Sequence, residues 1–352
     1  MSHPPVRKRA LITGLTGQDG SYLAEFLLGK NYQVFGLARR SSSDPFGRLP
    51  QLVIDRRIKI IYGNLRDSAS LARALEVSRP HEIYNLAAQS DVGISFQCPE
   101  ETMEINYHGL GRLLHEALKI VPKAKIYQAS TSEMFGDTPA PQNEETPFRP
   151  VSPYAEAKLR AHLDYVVGYR KRHGLFICSG FLFNHESPRR GKHFVTRKIT
   201  HSLAKIKHGL QTEFALGNLE SRRDWGFAGD YVRAMWLMLQ QKRPDDYVIA
   251  SGESHSVREF VDLAARAAGL PLHWEGRGLR EVGKNARGQV VVRVDKNFYR
   301  PREVNHLCGD AGKAKQVLGW QPETDFGQLV KLMTHADRDR VRLESKLDAA
   351  NH

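Results

Sequence analysis

Apolar positions along the first 130 residues fall into two alternating rhythms. RALIT (9–13), QVFGLA (33–38), IKIIYGN (58–64), EIYNLAA (82–88) and KIYQAS (125–130) are short apolar runs of strand length and read as buried strands. Between them lie stretches of helical spacing. Leu23, Phe26 and Leu27 follow the first run, residues 68–77 the third and a helix near 101–120 the fourth. Asn31 marks the stop of the first helix. Strands alternating with helices predict an α/β fold: a Rossmann-type doubly wound parallel sheet that takes its ligands at the carboxyl ends of the strands. Further on the rhythm is less clear. Residues 272–295, rich in Gly and Arg, read as a loop insertion, and 336–352, with alternating charges, as a helix or a disordered tail.

The glycine spacing after the first run gives this frame a ligand. Gly14, Gly17 and Gly20 lie in TGLTGQDG between a strand and a helix. The turn has to be tight, the backbone has to approach a pyrophosphate and the helix has to pack on the strand; each need excludes a Cβ. The helix N-terminus then offers N–H groups and positive dipole to the phosphates. The second strand ends in Arg39 and Arg40, where an NAD-binding chain carries a carboxylate for the ribose hydroxyl. Two guanidiniums suit a 2′-phosphate, so NADP is the expected cofactor. Asn64 and Leu65 close the third strand, where an adenine fits. Leu86, Ala87, Ala88, Gln89 and Ser90 close the fourth, with small residues that let the chain pass close to a cofactor.

The fifth strand ends in Ser130-Thr131-Ser132-Glu133, and strand alternation puts Thr131 and Glu133 on one face. Tyr154 and Lys158 then open a helix after Ser152-Pro153, one turn apart on one face. A nearby ammonium lowers a phenol's pKa, and a phenolate takes a proton from an alcohol.

Composition narrows the classes. The chain of 352 residues is long enough for two domains without disulfides. It has no run of about 18 apolar residues, so no membrane span is expected. The apolar stretch Ala10–Ile12 is too short for a signal-peptide core. Cys98, Cys178 and Cys308 are far apart and lack metal-ligand spacing, so neither a disulfide framework nor a metal site is expected, and a cytoplasmic protein fits best. The net charge of +13 invites a nucleic-acid reading. However, residues 149–210 hold thirteen Lys or Arg against Glu156, Asp164 and Glu186, a basic middle segment that suits a small polyanion such as a nucleotide diphosphate.

These motifs, with YNLAAQS, QASTSEMFG, TPFRPVSPYAEAKL, FNHESPRRG, RDWGFAGDYV and RPREV, resemble the extended short-chain dehydrogenase/reductases, and among them the GDP-mannose 4,6-dehydratase family, over about residues 9–335. The resemblance implies oxidation of the sugar at carbon 4 with Tyr154 as base beside Thr131, proton removal from carbon 5 by Glu133, loss of water from carbon 6, and return of the hydride to carbon 6. Ser132 takes the place where other sugar-nucleotide dehydratases have an acidic Asp, which leaves Glu133 to serve the departing hydroxyl too. The glycine-turn residues Gly14, Thr16, Gly17, Gln18, Asp19 and Gly20, with Lys158, His185 and Arg190, match cofactor positions. Asn184, Val195, Lys198, Gly217, Arg223, Arg300 and Glu303 match positions that hold the GDP-sugar. From the residues alone His185 also reads, as the lesser alternative, as a hydrogen-bonded core histidine, and Trp225 and Trp320 as packing residues rather than stacking platforms.

The implied layout is an NADP-binding domain of 1–183 plus 224–250, a smaller mixed sugar-nucleotide domain of 184–223 plus 251–335, and a tail of 336–352, in a dimer or tetramer. Asp91 and Glu101 depart from the family's usual residues, which keeps GDP-heptose open as substrate. An epimerase or reductase on the same frame is disfavoured by Glu133 and FNHESPRRG. A non-catalytic dinucleotide sensor or nucleic-acid binder is disfavoured by Thr131, Tyr154 and Lys158, which neither needs.

Overall fold

The computed structural model describes residues 7–49, 52, 55–299 and 306–350. The five apolar runs form β1 (Arg9–Thr13), β2 (Gln33–Ala38), β3 (Ile58–Tyr62), β4 (Glu82–Asn85) and β5 (Lys125–Thr131). With β6 (Ile177–Leu182) and β10 (Tyr247–Ile249) they make one seven-stranded sheet in the order β10-β6-β5-β4-β1-β2-β3, every neighbouring pair parallel. Both faces are covered, which is why the central strands are buried along most of their length. One face packs Leu23, Leu27, Tyr231, Met235 and Trp320. The other packs Leu71, Leu75, Leu110, Leu114 and Val166.

The chain order reverses on either side of β1, whose neighbours are β2 and β4. Crossovers leave β1 and β4 in opposite directions, so a crevice opens at their carboxyl ends. There β4 is shorter than its apolar run suggests. Leu86 N makes the last bond to the β1 backbone, at the Thr13 carbonyl (3.3 Å), and Ala87 N turns to the Thr13 hydroxyl instead (3.2 Å). Residues 86–90 thereby leave the sheet and cross in front of the glycine turn. Asn31 ends the first helix in the left-handed region, with φ of 63°.

A second set of elements lies beyond β6. β7 (Asn184–Glu186), β9 (Arg222–Phe227) and β11 (Ser254–Ser256) form a three-stranded sheet. β8 (Phe214–Leu216), β12 (His273–Glu275), β13 (Val282–Lys284) and β14 (Val290–Val294) form a four-stranded one. Residues 272–295 are therefore not a loop insertion. A turn at Asn285–Gly288 folds β13 onto β14, and Val291 and Val292 are buried in a third core with Ile199, Trp225, Phe260 and Leu329. The C-terminal residues are ordered as helix Phe326–Ala350, which runs through residue 336 without a break and buries Asp337 completely. Trp225 and Trp320 are core residues, as expected. Asp91 caps helix Val92–Gln97 by accepting from Ile94 N (3.0 Å), and Glu101 lies 3.9 Å from Arg66, so both departures have local structural partners.

Candidate active site

Ser152 accepts a hydrogen bond from Ala155 N (3.1 Å) and Pro153 occupies the first turn, which together fix the start of helix Pro153–Arg160. Tyr154 and Lys158 then emerge one turn apart on its inner face, both buried, with the Lys158 ammonium 5.9 Å from the Tyr154 ring centre. Thr131 ends β5, and its hydroxyl accepts from Glu133 N (3.2 Å), starting the tight turn Ser132–Phe135. Thr131 and Glu133 thus reach Tyr154 because the chain turns after the strand, and not through strand alternation, which ends at Thr131. Ser132 and Glu133 are buried on this turn.

The electrostatics differ from the expectation for this pair. The Tyr154 phenol is raised to about 12, with burial the largest cause and the charges of Glu133 and Asp19 adding to it, against a hydrogen bond with Thr131 and the charge of Arg190 that lower it. Lys158 is not among the main causes of that shift. Its own ammonium is brought down to about 8 by burial, and its Nζ donates to the Ala129 carbonyl at 2.8 Å. In the chain alone, then, burial outweighs the groups that lower the phenol. The groups acting on Tyr154 come from the fifth strand, the glycine turn and FNHESPRRG, so the catalytic and cofactor halves of the sequence reading meet at this one oxygen.

The glycine turn is built as a cradle. Gly14 has φ of 70°, and a Cβ there would lie 2.7 Å from Ala87 N. A Cβ on Gly20 would lie 2.3 Å from the Gly14 carbonyl, so that glycine serves helix-on-strand packing. A Cβ on Gly17 would meet only the Gly14 carbonyl, at 3.2 Å; its other side is open. Gly17 caps helix Gln18–Gly29 without a side chain, leaving the first N–H groups to a ligand. A pyrophosphate fits this cradle.

The Gln18 and Asp19 side chains are engaged within the chain. Gln18 donates to the His185 carbonyl (3.1 Å) and accepts from Ser187 (2.8 Å). Asp19 meets His185 Nε2 at 2.9 Å while His185 Nδ1 meets the Phe183 carbonyl, and the imidazole stacks on Tyr231. Although burial opposes it, Asp19 raises the His185 pKa, and His185 in turn holds Asp19 low. His185 is therefore a half-buried, hydrogen-bonded histidine that ties FNHESPRRG to the glycine turn. Arg190 lies 3.2 Å from Glu186 and over the Phe194 ring.

Of the other cofactor positions, Arg39, Arg40 and Ser90 are exposed, Leu65 is buried, and Leu86, Ala87, Ala88 and Asn64 are half-buried. Asn64 accepts from Arg66 N, and Gln89 bonds Asn106 and Thr102.

Among the sugar-nucleotide positions, Asn184 has a buried Oδ1 with no hydrogen-bond partner among the described residues, an acceptor left for a ligand. Val195 opens helix Val195–Lys207 and is exposed. Lys198 Nζ stands 3.3 Å from the Phe298 ring centre, and a Cβ on Gly217 would lie 2.5 Å from the Phe298 carbonyl. These two positions therefore converge on the segment leading to Arg300. Arg223 is buried, and its Nη1 donates to the Arg222 carbonyl (2.9 Å). Arg300 and Glu303 lie outside the described residues.

Two buried residues escaped the sequence reading. Thr13 donates to Asn85 (2.6 Å), Asn85 to Gln128 (2.7 Å) and Gln128 to the Ala129 carbonyl (2.9 Å), the same oxygen that receives Lys158. This polar chain through β1, β4 and β5 links the glycine turn to the lysine. Asn85 and Gln128 sit inside apolar runs, and their polarity in a buried strand was the available signal. Among the described residues, no group of three or more His, Cys, Asp or Glu is placed to hold a metal ion, and no helix is long and apolar enough to cross a membrane.

The chain matches the family model described as GDP-mannose 4,6 dehydratase over residues 11–333. It is 51% identical to GDP-mannose 4,6 dehydratase 1 of Arabidopsis thaliana over 98% of this chain and 94% of that protein. It is 52% identical to GDP-mannose 4,6 dehydratase of Homo sapiens, over 96% and 93% of the two chains. Among solved structures it resembles the dTDP-glucose 4,6-dehydratase DesIV of Streptomyces venezuelae, solved with NAD bound, at a TM-score of 0.80 and 23% identity, covering 95% of this chain and 98% of that one.

Proposed function

This chain belongs to the GDP-mannose 4,6 dehydratase family, and on that premise we propose that it is a hydro-lyase that converts GDP-mannose to GDP-4-keto-6-deoxy-mannose with a tightly held NADP. The observation that carries this reading is Glu133, a buried carboxylate close enough to Tyr154 for its charge to act on the phenol. A simple oxidoreductase of this fold needs Thr131, Tyr154 and Lys158; a carboxylate beside them adds a base for a carbon acid.

A nicotinamide bound beside these groups supplies an electron-pair acceptor for carbon 4, a donor for carbon 6 and a positive charge that brings the phenol into working range. The protein supplies the proton transfers. Tyr154 Oη, hydrogen-bonded with Thr131, takes the proton of the 4-hydroxyl as the 4-ketone forms. The ketone acidifies carbon 5, and Glu133 removes that proton. With Ser132 beside it in place of an acid, Glu133 gives the proton to the 6-hydroxyl, which leaves as water. The proton taken by Tyr154 then returns to carbon 5, so the protein ends in its starting protonation state. Lys158 holds the ribose next to the nicotinamide. Burial of Tyr154, Lys158 and Glu133 keeps bulk water from exchanging these protons.

The cofactor is a nicotinamide dinucleotide, and Arg39 and Arg40, exposed at the end of β2, support NADP. Asn184, Lys198, Arg223, Arg300 and Glu303 hold the nucleotide sugar. The dinucleotide lies on residues 1–183 and 224–250, and the sugar nucleotide on 184–223 and 251–335. The enzyme works as a dimer or tetramer, with the exposed Arg39–Ser43 loop at neighbouring cofactor sites. The test is incubation of the protein with GDP-mannose and NADP⁺, with mass spectrometry of the nucleotide sugar. We expect loss of the mass of one water with no accumulation of NADPH. Unchanged GDP-mannose beside a dehydrated GDP-heptose would overturn the sugar assignment.

A further inference from the structure

Beside the glycine turn, four arginines share three carboxylates, and a fifth arginine has none among the described residues. Arg189 pairs with Glu25 (2.7 Å), Arg190 with Glu186 (3.2 Å), and Arg197 and Arg340 both with Asp337 (2.6 and 2.7 Å). Arg48, in the loop after β2, has no carboxylate partner among the described residues. Its half-buried guanidinium donates from Nε to the Arg189 carbonyl (2.7 Å) and from Nη1 to the Thr16 carbonyl (3.1 Å), and its Nη2 makes no hydrogen bond among the described residues. Burial, then the charges of Arg197, Arg190, Arg189 and Arg340, push it below the ordinary arginine value. Each of those four charges is repulsive. Drawing a cation out of water against like charges is unfavourable unless an anion completes the site.

The place of Arg48 says which anion. Thr16 belongs to the glycine turn itself, next to the open side of Gly17 and the free N–H groups of helix Gln18–Gly29. We propose that Arg48 is a cofactor-binding residue that holds a phosphate of the bound dinucleotide against the glycine turn. This rests on the reading of the chain as an NADP enzyme. Nη2 is the donor that remains for a phosphate oxygen, while the other two nitrogens fix the fork on two backbone carbonyls. That phosphate is either part of the pyrophosphate, common to NAD and NADP, or the 2′-phosphate of NADP.

The test is calorimetric titration of the wild-type chain, Arg48→Lys and Arg48→Gln with NADP⁺ and with NAD⁺, alongside the thermal midpoint of each protein without cofactor. We expect Arg48→Gln to weaken NADP⁺ by about tenfold or more with an unchanged midpoint, and Arg48→Lys to keep part of the affinity because it keeps the charge. Equal weakening of both cofactors assigns the contact to the pyrophosphate; weakening of NADP⁺ alone assigns it to the 2′-phosphate. Wild-type affinity in Arg48→Gln would overturn the proposal. So would an equal loss in both variants with a lowered midpoint, which marks a clamp between two loops. A wild-type chain that binds neither dinucleotide would overturn the underlying cofactor reading, a result separate from either of these.

Discussion

Tyr154 and Lys158 were legible as residue types at a spacing, but their titration was not. Position four residues apart suggests an ammonium that lowers a phenol, whereas burial dominates both groups and drives them in opposite directions, to about 12 and about 8. Burial depends on the whole fold, so no local pattern reports it. The consequence for stability is specific. Because the folded pKa of Lys158 lies below its ordinary 10.5, the unfolded chain binds more protons between pH 8 and 10.5. This lysine therefore destabilises the fold at neutral pH, and that penalty fades as pH rises through that window. Lys158→Met is expected to be inactive and yet about 2 kcal/mol more stable near pH 7, after allowing for the lost bond to Ala129. The advantage should shrink towards pH 10, as urea unfolding across that range would show; a variant less stable than wild type at pH 7 would contradict the account. Glu133 is tested by catalysis: Glu133→Gln should lower turnover by about 10²–10⁴-fold while a single turnover still shows reduction of the cofactor. Wild-type turnover in that variant would remove Glu133 from the mechanism.

At the scale of elements, the βαβ unit was readable because its strands are apolar without interruption and its glycines punctuate a single turn. The strands of 272–295 were not, since His273–Glu275 and Val282–Lys284 are three residues each, too short for any period to show. The three turn glycines look equivalent in sequence but differ in space. Gly20→Ala drives a Cβ into the Gly14 carbonyl and the Leu15 backbone, where nothing flexible yields. It should cost about 2–4 kcal/mol of stability. Gly17→Ala meets a single carbonyl at 3.2 Å, a tight contact relieved by a shift of a few tenths of an ångström, and is otherwise open on the ligand side. That variant should unfold within about 1 kcal/mol of wild type and lose dinucleotide affinity. Parallel denaturation and cofactor titration of the two variants separate packing from binding; equal behaviour would refute the division of labour.

At the scale of the whole molecule, the site is assembled from parts far apart in the chain. Asp337, in a C-terminal segment whose alternating charges gave no sign of a role, is fully buried and takes Arg197 Nε at 2.6 Å. Arg197 Nη1 then holds the carbonyls of Pro188 and Arg190, both at 2.7 Å, and His185 and Ser187 of the same stretch hold Asp19 and Gln18 at the glycine turn. The last helix thus supports the cofactor side of the site through FNHESPRRG, a connection that exists only once the chain has folded. The central claim is that this assembly moves one hydrogen within the sugar while water departs. GDP-mannose carrying deuterium at carbon 4 tests it most directly, with the product read by mass spectrometry and NMR. The account predicts a product lighter by one water with the deuterium at carbon 6. Deuterium lost to solvent, or left on a released reduced cofactor with no water lost, would contradict it.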